Sequence, residues 1–140
     1  MKYFVYIIYS QSIDKYYVGY SHNALERLYC NGNQLTTLDI SNNTALGVLI
    51  CSYNQLTSLD VTNNTALILL WCTGNQLNSM DISNNTSRGL GLGGYFDCFL
   101  EIENTPGLGK VCVCRLPFPP EGFLLCADGS PNVYFTTDCN

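Results

Sequence analysis

Residues 51–71 read CSYNQLTSLDVTNNTALILLW, and the 21 residues on either side repeat them: CNGNQLTTLDISNNTALGVLI at 30–50 and CTGNQLNSMDISNNTSRGLGL at 72–92, without gaps. Self-similarity at a fixed period of roughly 20–50 residues marks a stack of small units, none of which can bury its apolar side alone. In the full unit the apolar positions are Leu46, Leu49, Cys51, Leu56, Leu59 and Val61, with Asn54, Asp60 and Asn64 between them. The L-x-C and L-D-V triplets alternate in and out, which is the period of a half-buried strand. Each unit is expected to supply two short strands joined at Asn-containing turns. No stretch between them is long enough for a regular helix.

The pattern L-x-x-L-x-C-x-x-N-x-L-x-x-L-D-I/V-x-x-N resembles the leucine-rich repeat family, in particular the short bacterial variety with a second L-x-x-L-D-V-x-x-N half nested in each unit. The resemblance is dense over residues 28–92 and weaker to 115. It implies a mainly β, right-handed solenoid with parallel ladders on two sides of one leucine core. Asn33, Asn54 and Asn75 would then turn inward and bond turn backbone that is otherwise unpaired. Cys30, Cys51 and Cys72 read as small apolar groups in the core, with free thiols, because stacked strands about 4.8 Å apart hold their Cβ vectors parallel. They lack the paired spacing and the histidine of a metal site. Asp39, Asp60 and Asp81 form a column of like charges that keeps one face soluble. Asn42-Asn43-Thr44, Asn63-Asn64-Thr65 and Asn84-Asn85-Thr86 match a glycosylation pattern that the repeat itself generates.

The repeats differ from one another at few places. The outward position of the first strand runs Tyr29, Ile50, Trp71, and the next bend carries Gly32, Tyr53, Gly74. An exposed aromatic and apolar stripe on a rigid sheet suits recognition, so Tyr29, Ile50, Tyr53 and Trp71 are the candidate ligand-binding residues. The competing reading is that neighbouring coils or caps shield them.

Charged residues make up 12% of the chain and the net charge is −5. Residues 30–140 hold three cations against nine carboxylates, which argues against a nucleic-acid partner, since such binding leans on clustered Lys and Arg. No run of eighteen apolar residues is present to span a membrane. The opening MKYFVYIIYS is too short and Tyr-rich for a signal peptide, and no small-x-small site follows it. The chain as encoded thus reads as cytoplasmic, although the repeat type resembles that of exported surface proteins.

After Asn85 the pattern loosens through the glycines of 87–94. It returns at Leu100, Ile102, Asn104, Leu108 and Val111–Val113 as one last half-repeat. Residues 116–140, with prolines, a Gly-Ser-Pro turn and a β-type run from Asn132, resemble the capping tail of such arrays. Cys112 and Cys114 would share one side of a strand. With Cys98, Cys126 and Cys139 they could pair in an oxidising compartment, and sequence does not choose the pairing.

Ahead of the repeat, residues 1–28 contain two β-type runs, Tyr3–Tyr9 and Tyr16–Tyr20, and a possible short helix ending near Leu28. As structure this is a hairpin and helix capping the first coil. Val5-Tyr6-Ile7, Tyr17-Val18-Gly19, Asn23 and Glu26-Arg27-Leu28 resemble the start of GIY-YIG nucleases. That resemblance implies active-site roles for Tyr6, Tyr17 and Arg27 in phosphodiester hydrolysis with a divalent metal such as Mg. The histidine and the metal-holding glutamate of that family have no counterpart here, because Leu28-Tyr29-Cys30 already follows the repeat register. The segment reads as a truncated or fused remnant. The expectation is a cap over residues 1–28, a solenoid over 29–115 and a tail over 116–140, binding protein or glycan without a cofactor. DNA hydrolysis is the alternative.

Overall fold

The computed structural model describes residues 4–10, 15–21, 25–86, 99–119 and 124–139, the first two stretches as backbone alone. Strands β1 (Phe4–Ser10) and β2 (Lys15–Ser21) form an antiparallel pair, with Tyr6 opposite Gly19 and Ile8 opposite Tyr17. The expected helix end at Leu28 is replaced by a strand, β3 (Arg27–Tyr29). The reason is packing: Leu28 is needed in the leucine column, where it pairs with Leu49 and is buried.

From β3 onward the chain coils. Strands β4 (Val48–Ile50) and β5 (Leu69–Trp71) take the same place in the next two repeats. On the opposite side β6 (Ser79–Asp81) precedes a four-residue helix, α1 (Ser83–Thr86), the one helix among the described residues. The fourth coil supplies β7 (Leu100–Glu101) and β8 (Lys110–Cys112), and the tail supplies β9 (Leu125–Cys126) and β10 (Tyr134–Thr136). Two parallel sheets result, one in the order β3-β4-β5-β7-β9 and one in the order β10-β8-β6.

The stacking explains the periodicity. Leu28, Leu49, Leu70 and Leu100 stand in consecutive register and are all buried, as are Leu59, Met80 and Val111 on the opposite wall. Leu38 and Phe135 pack against the same core. Each such leucine contributes about 1.5–3 kcal/mol by leaving water, an amount available only when a neighbouring coil covers it. The array is a mainly β, leucine-rich-repeat solenoid.

Three features go beyond the sequence expectation. The residues expected to form a half-repeat make a complete coil, with a strand in each sheet. The β-type tail likewise adds one strand to each sheet and so closes the array as a fifth coil. The second strand of each unit, by contrast, forms only from the third coil on. Between coils two and three lies an open groove of about 290 Å³ lined by Ser58, Leu59, Asp60, Thr62, Ser79, Met80 and Asp81. The column of like charges lies along this same line, where cross-strand carboxylates oppose close approach.

Candidate binding surface

Parallel register places Tyr29, Ile50 and Trp71 side by side on the five-stranded sheet, and the column continues through Glu101 and Cys126. Tyr29, on the edge strand, is 55% exposed, whereas Ile50 and Trp71 are half-buried. The flanking residues Val48 and Leu69 are buried although they lie outside the leucine core cluster. Ser52 and Thr73 are buried as well, and their hydroxyl oxygens make no hydrogen bond. The stripe is therefore open at its edge and along its bend rather than across its width.

The bend holds a feature that the sequence reading missed. Each coil passes it with a left-handed residue whose N–H donates to the coil above: Gly32 to Ser52 O, Tyr53 to Thr73 O, Gly74 to Glu103 O and Asn104 to Asp128 O. The φ values are +68° at Gly32, +56° at Tyr53, +66° at Gly74, +49° at Asn104 and +74° at Gly129. Glycine adopts this conformation at no steric cost and asparagine tolerates it, but a bulky aromatic does not. Tyr53 occupies it nonetheless and is 63% exposed. Gly32 and Gly74 in the neighbouring repeats were the available signal.

Beneath the surface, the inward Asn residues behave as their spacing predicts. Asn54 Nδ2 donates to Cys30 O (3.0 Å) and Cys51 O (2.9 Å), and its Oδ1 accepts from Leu35 N (3.0 Å). Asn75 repeats this one coil on with Cys51 O (3.1 Å), Cys72 O (2.9 Å) and Leu56 N (3.0 Å). At the tail Ser130 substitutes, its Oγ accepting from Thr105 N and donating to Ile102 O. A second ladder, Asn43, Asn64 and Asn85, steadies the other corner: Asn64 Nδ2 donates to Ile40 O and Asn43 O, and Asn85 Nδ2 to Val61 O and Asn64 O.

Cys30, Cys51 and Cys72 are buried free thiols in one column. Burial pushes the Cys30 thiol up to about 11 and the Cys72 thiol up to about 12. Burial also raises Cys51 well above its ordinary value, helped by the neighbouring thiols. In the fourth coil Ile102 takes over this place. The aspartates cap their own turns: Asp39 Oδ1 accepts from Ser41 N and Oγ, Asp60 Oδ1 from Thr62 N and Oγ1, and Asp81 Oδ1 from Ser83 N. These bonds hold the Asp39 and Asp60 carboxyls below the usual range.

At the C-terminal end Cys112 and Cys139 are joined in a disulfide across 5.5 Å between Cα atoms, and Cys126 is also disulfide-bonded. Cys114 does not share the buried side of Cys112, as its spacing suggested; β8 ends at Cys112 and Cys114 is an exposed thiol. Cys98 lies outside the described residues. Of the nuclease-like residues, Tyr6 and Tyr17 fall on β1 and β2, whose side chains are outside the described atoms, and Arg27 is an exposed residue of β3 rather than of a helix.

No family model matches the chain, and no curated protein matches it. Among solved structures it is similar to the functional domain of InlJ from Listeria monocytogenes, described as including a cysteine ladder, at 26% identity and a TM-score of 0.51 over 80% of this chain. The matched region amounts to 29% of that longer chain. Cys30, Cys51 and Cys72 form such a ladder here. None of these comparisons supports the nuclease resemblance of residues 1–28. No helix among the described residues is long and apolar enough to cross a membrane.

Proposed function

We propose that this solenoid is a protein-binding module whose contact surface is the bend and edge of the five-stranded sheet, centred on Tyr53 and Tyr29 and extended by Ile50 and Trp71. The observation that carries the reading is Tyr53. A left-handed φ on a bulky residue costs on the order of 1–3 kcal/mol and tends to persist where it serves a site. Here glycine fills the same place one coil earlier and one coil later. Tyrosine supplies a large amphipathic contact area at low conformational entropy, which is why it is enriched at interfaces. The likeness to a repeat domain of a longer bacterial protein is in keeping with a binding role.

The test is a panel of purified extracellular protein domains, immobilised and probed with the intact chain, followed by Tyr53→Gly and Trp71→Asp. Binding to a panel member that falls at least tenfold in both variants, with unchanged far-UV circular dichroism, is the expected result. Undiminished binding in both, or binding confined to a parallel glycan array, overturns the reading.

A further inference from the structure

A second site lies on the other sheet, away from the aromatic bend. Parallel register sets Asp81 directly beside Cys112, and the tail returns Cys139 to the same point. A carboxylate oxygen of Asp81 and the two sulfurs all lie within 4.8 Å of one another. Asp81 also differs from its repeat mates. Asp39 and Asp60 each take a backbone and a hydroxyl hydrogen bond on Oδ1, whereas Asp81, among the described residues, takes only the Ser83 backbone bond. Its carboxylate therefore keeps more acceptor capacity, and it stands beside a pair of cysteines, which neither Asp39 nor Asp60 does among the described residues.

We propose that Cys112, Cys139 and Asp81 form a redox-gated site for a thiophilic divalent cation such as Zn²⁺. In the oxidised chain the sulfurs are bonded to each other and offer no thiolate. A dithiol reductant cleaves the disulfide, becoming itself a cyclic disulfide and leaving two cysteine thiols. Zn²⁺ then displaces both thiol protons and takes two thiolates and one carboxylate oxygen, with solvent completing the tetrahedron. Ligand atoms 2.0–2.3 Å from zinc stand roughly 3.3–3.8 Å from one another, a spacing compatible with the 5.5 Å between the Cys112 and Cys139 Cα atoms. Soft thiolates select Zn²⁺ over Mg²⁺ or Ca²⁺. Metal and disulfide are mutually exclusive states of one cluster, and either ties the tail to β8.

The test uses the full chain carrying Cys98→Ser, Cys114→Ser and Cys126→Ser, so that no other cysteine outside the buried ladder competes. After reduction and removal of the reductant, it is titrated with Cd²⁺, read by the thiolate-to-metal charge-transfer band, and with Zn²⁺ against a chromophoric chelator. One equivalent is expected to bind, none before reduction. Cys139→Ser is expected to abolish binding and Asp81→Asn to weaken it by about tenfold or more, the scale on which even outer-shell partners act. The Asp81→Asn variant retains the disulfide, so its fold is verified in the oxidised state first. Absence of binding after reduction, or affinity that is the same in Asp81→Asn, overturns the proposal; the latter is also what an unfolded reduced tail would give.

Discussion

The ring of Tyr53 leans over the backbone of Gly74, so closely that a Cβ added at 74 would sit 2.9 Å from Tyr53 Cδ1 and 3.2 Å from Cε1. Large and small residues thus alternate along a column in which all are left-handed, and the aromatic in one coil depends on the glycine in the next. Asn104 and Gly129 repeat the arrangement, with a Cβ at 129 meeting Asn104 Oδ1 at 2.6 Å.

Substitution at the bend separates strain from clash. Gly32→Ala meets nothing within 4 Å but keeps φ at +68°, so it is expected to cost about 1 kcal/mol from backbone strain alone. Gly74→Ala carries the same strain plus contact with the Tyr53 ring and is expected to cost clearly more. Tyr53→Gly relieves strain and should leave stability unchanged or raise it by up to about 1 kcal/mol. Urea unfolding of the three variants and of the Tyr53→Gly/Gly74→Ala double variant measures this, and the double variant should recover the clash but not the strain.

Asn75→Ala removes a side chain that satisfies three buried backbone groups. Cys51 O keeps its bond from Asn54, but Cys72 O and Leu56 N lose theirs. At about 1–3 kcal/mol for each buried group left unpaired, the expected loss is about 2–6 kcal/mol in chemical denaturation. A loss below 1 kcal/mol would mean that water replaces the ladder.

The thiol column should resist chemistry in the folded chain. Near about pH 8 iodoacetamide is expected to modify exposed Cys114 and to spare Cys30, Cys51 and Cys72 until denaturant is added, as peptide mass mapping will show. The same burial links to alkaline stability. The folded thiols of Cys30 and Cys72 hold their protons to about 11 and about 12, above the ordinary 9.0. Their contribution is therefore complete below pH 9.0 and is lost as pH climbs through the folded values. Cys72→Ala should flatten that decline.

The aspartate turns act in the opposite direction. Ser41 and Thr62 lower the Asp39 and Asp60 carboxyls below 3.8. Folded values below the unfolded one add stability above about pH 4 that fades as pH falls through the depressed folded values. Carboxyl titrations by nuclear magnetic resonance should show Asp60 moving back up toward 3.8 in Thr62→Ala, with Asp39 unaffected.

What the sequence made legible follows from what repeats. Leu49, Cys51, Asn54 and Leu59 recur every 21 residues, so the stack, the free thiols and the Asn ladder could be read without coordinates. The fourth coil was underestimated because its spacing changes: Leu49 pairs with Leu70, but Leu70 pairs with Leu100, beyond the residues after Thr86 whose sequence departs from the repeat pattern. Similarly, Ser130 takes the part that Asn54 and Asn75 play in earlier coils, and only its hydrogen bonds to Thr105 N and Ile102 O reveal that it serves the same corner. Arg27 was placed on a helix because the segment before Leu28 offers helix-start residues and the nuclease resemblance implies a helix arginine; burial of the adjacent Leu28 in a column formed by distant residues decided otherwise. The half-burial of Ile50 and Trp71 was equally hidden, since exposure on a sheet depends on what lies over it.

The account rests on coils stacked in one parallel register, and the most direct measurement is scalar coupling across the hydrogen bonds that join them. The Cys30, Cys51 and Cys72 amide nitrogens should each show a coupling to one carbonyl, that of Ile50, Trp71 and Glu101 respectively, matching N···O separations of 2.9, 2.8 and 2.9 Å. Couplings to those three carbonyls in that order are the predicted result. Couplings to other residues, or amides that exchange with solvent at unprotected rates, would contradict the stack and with it the surface built upon it.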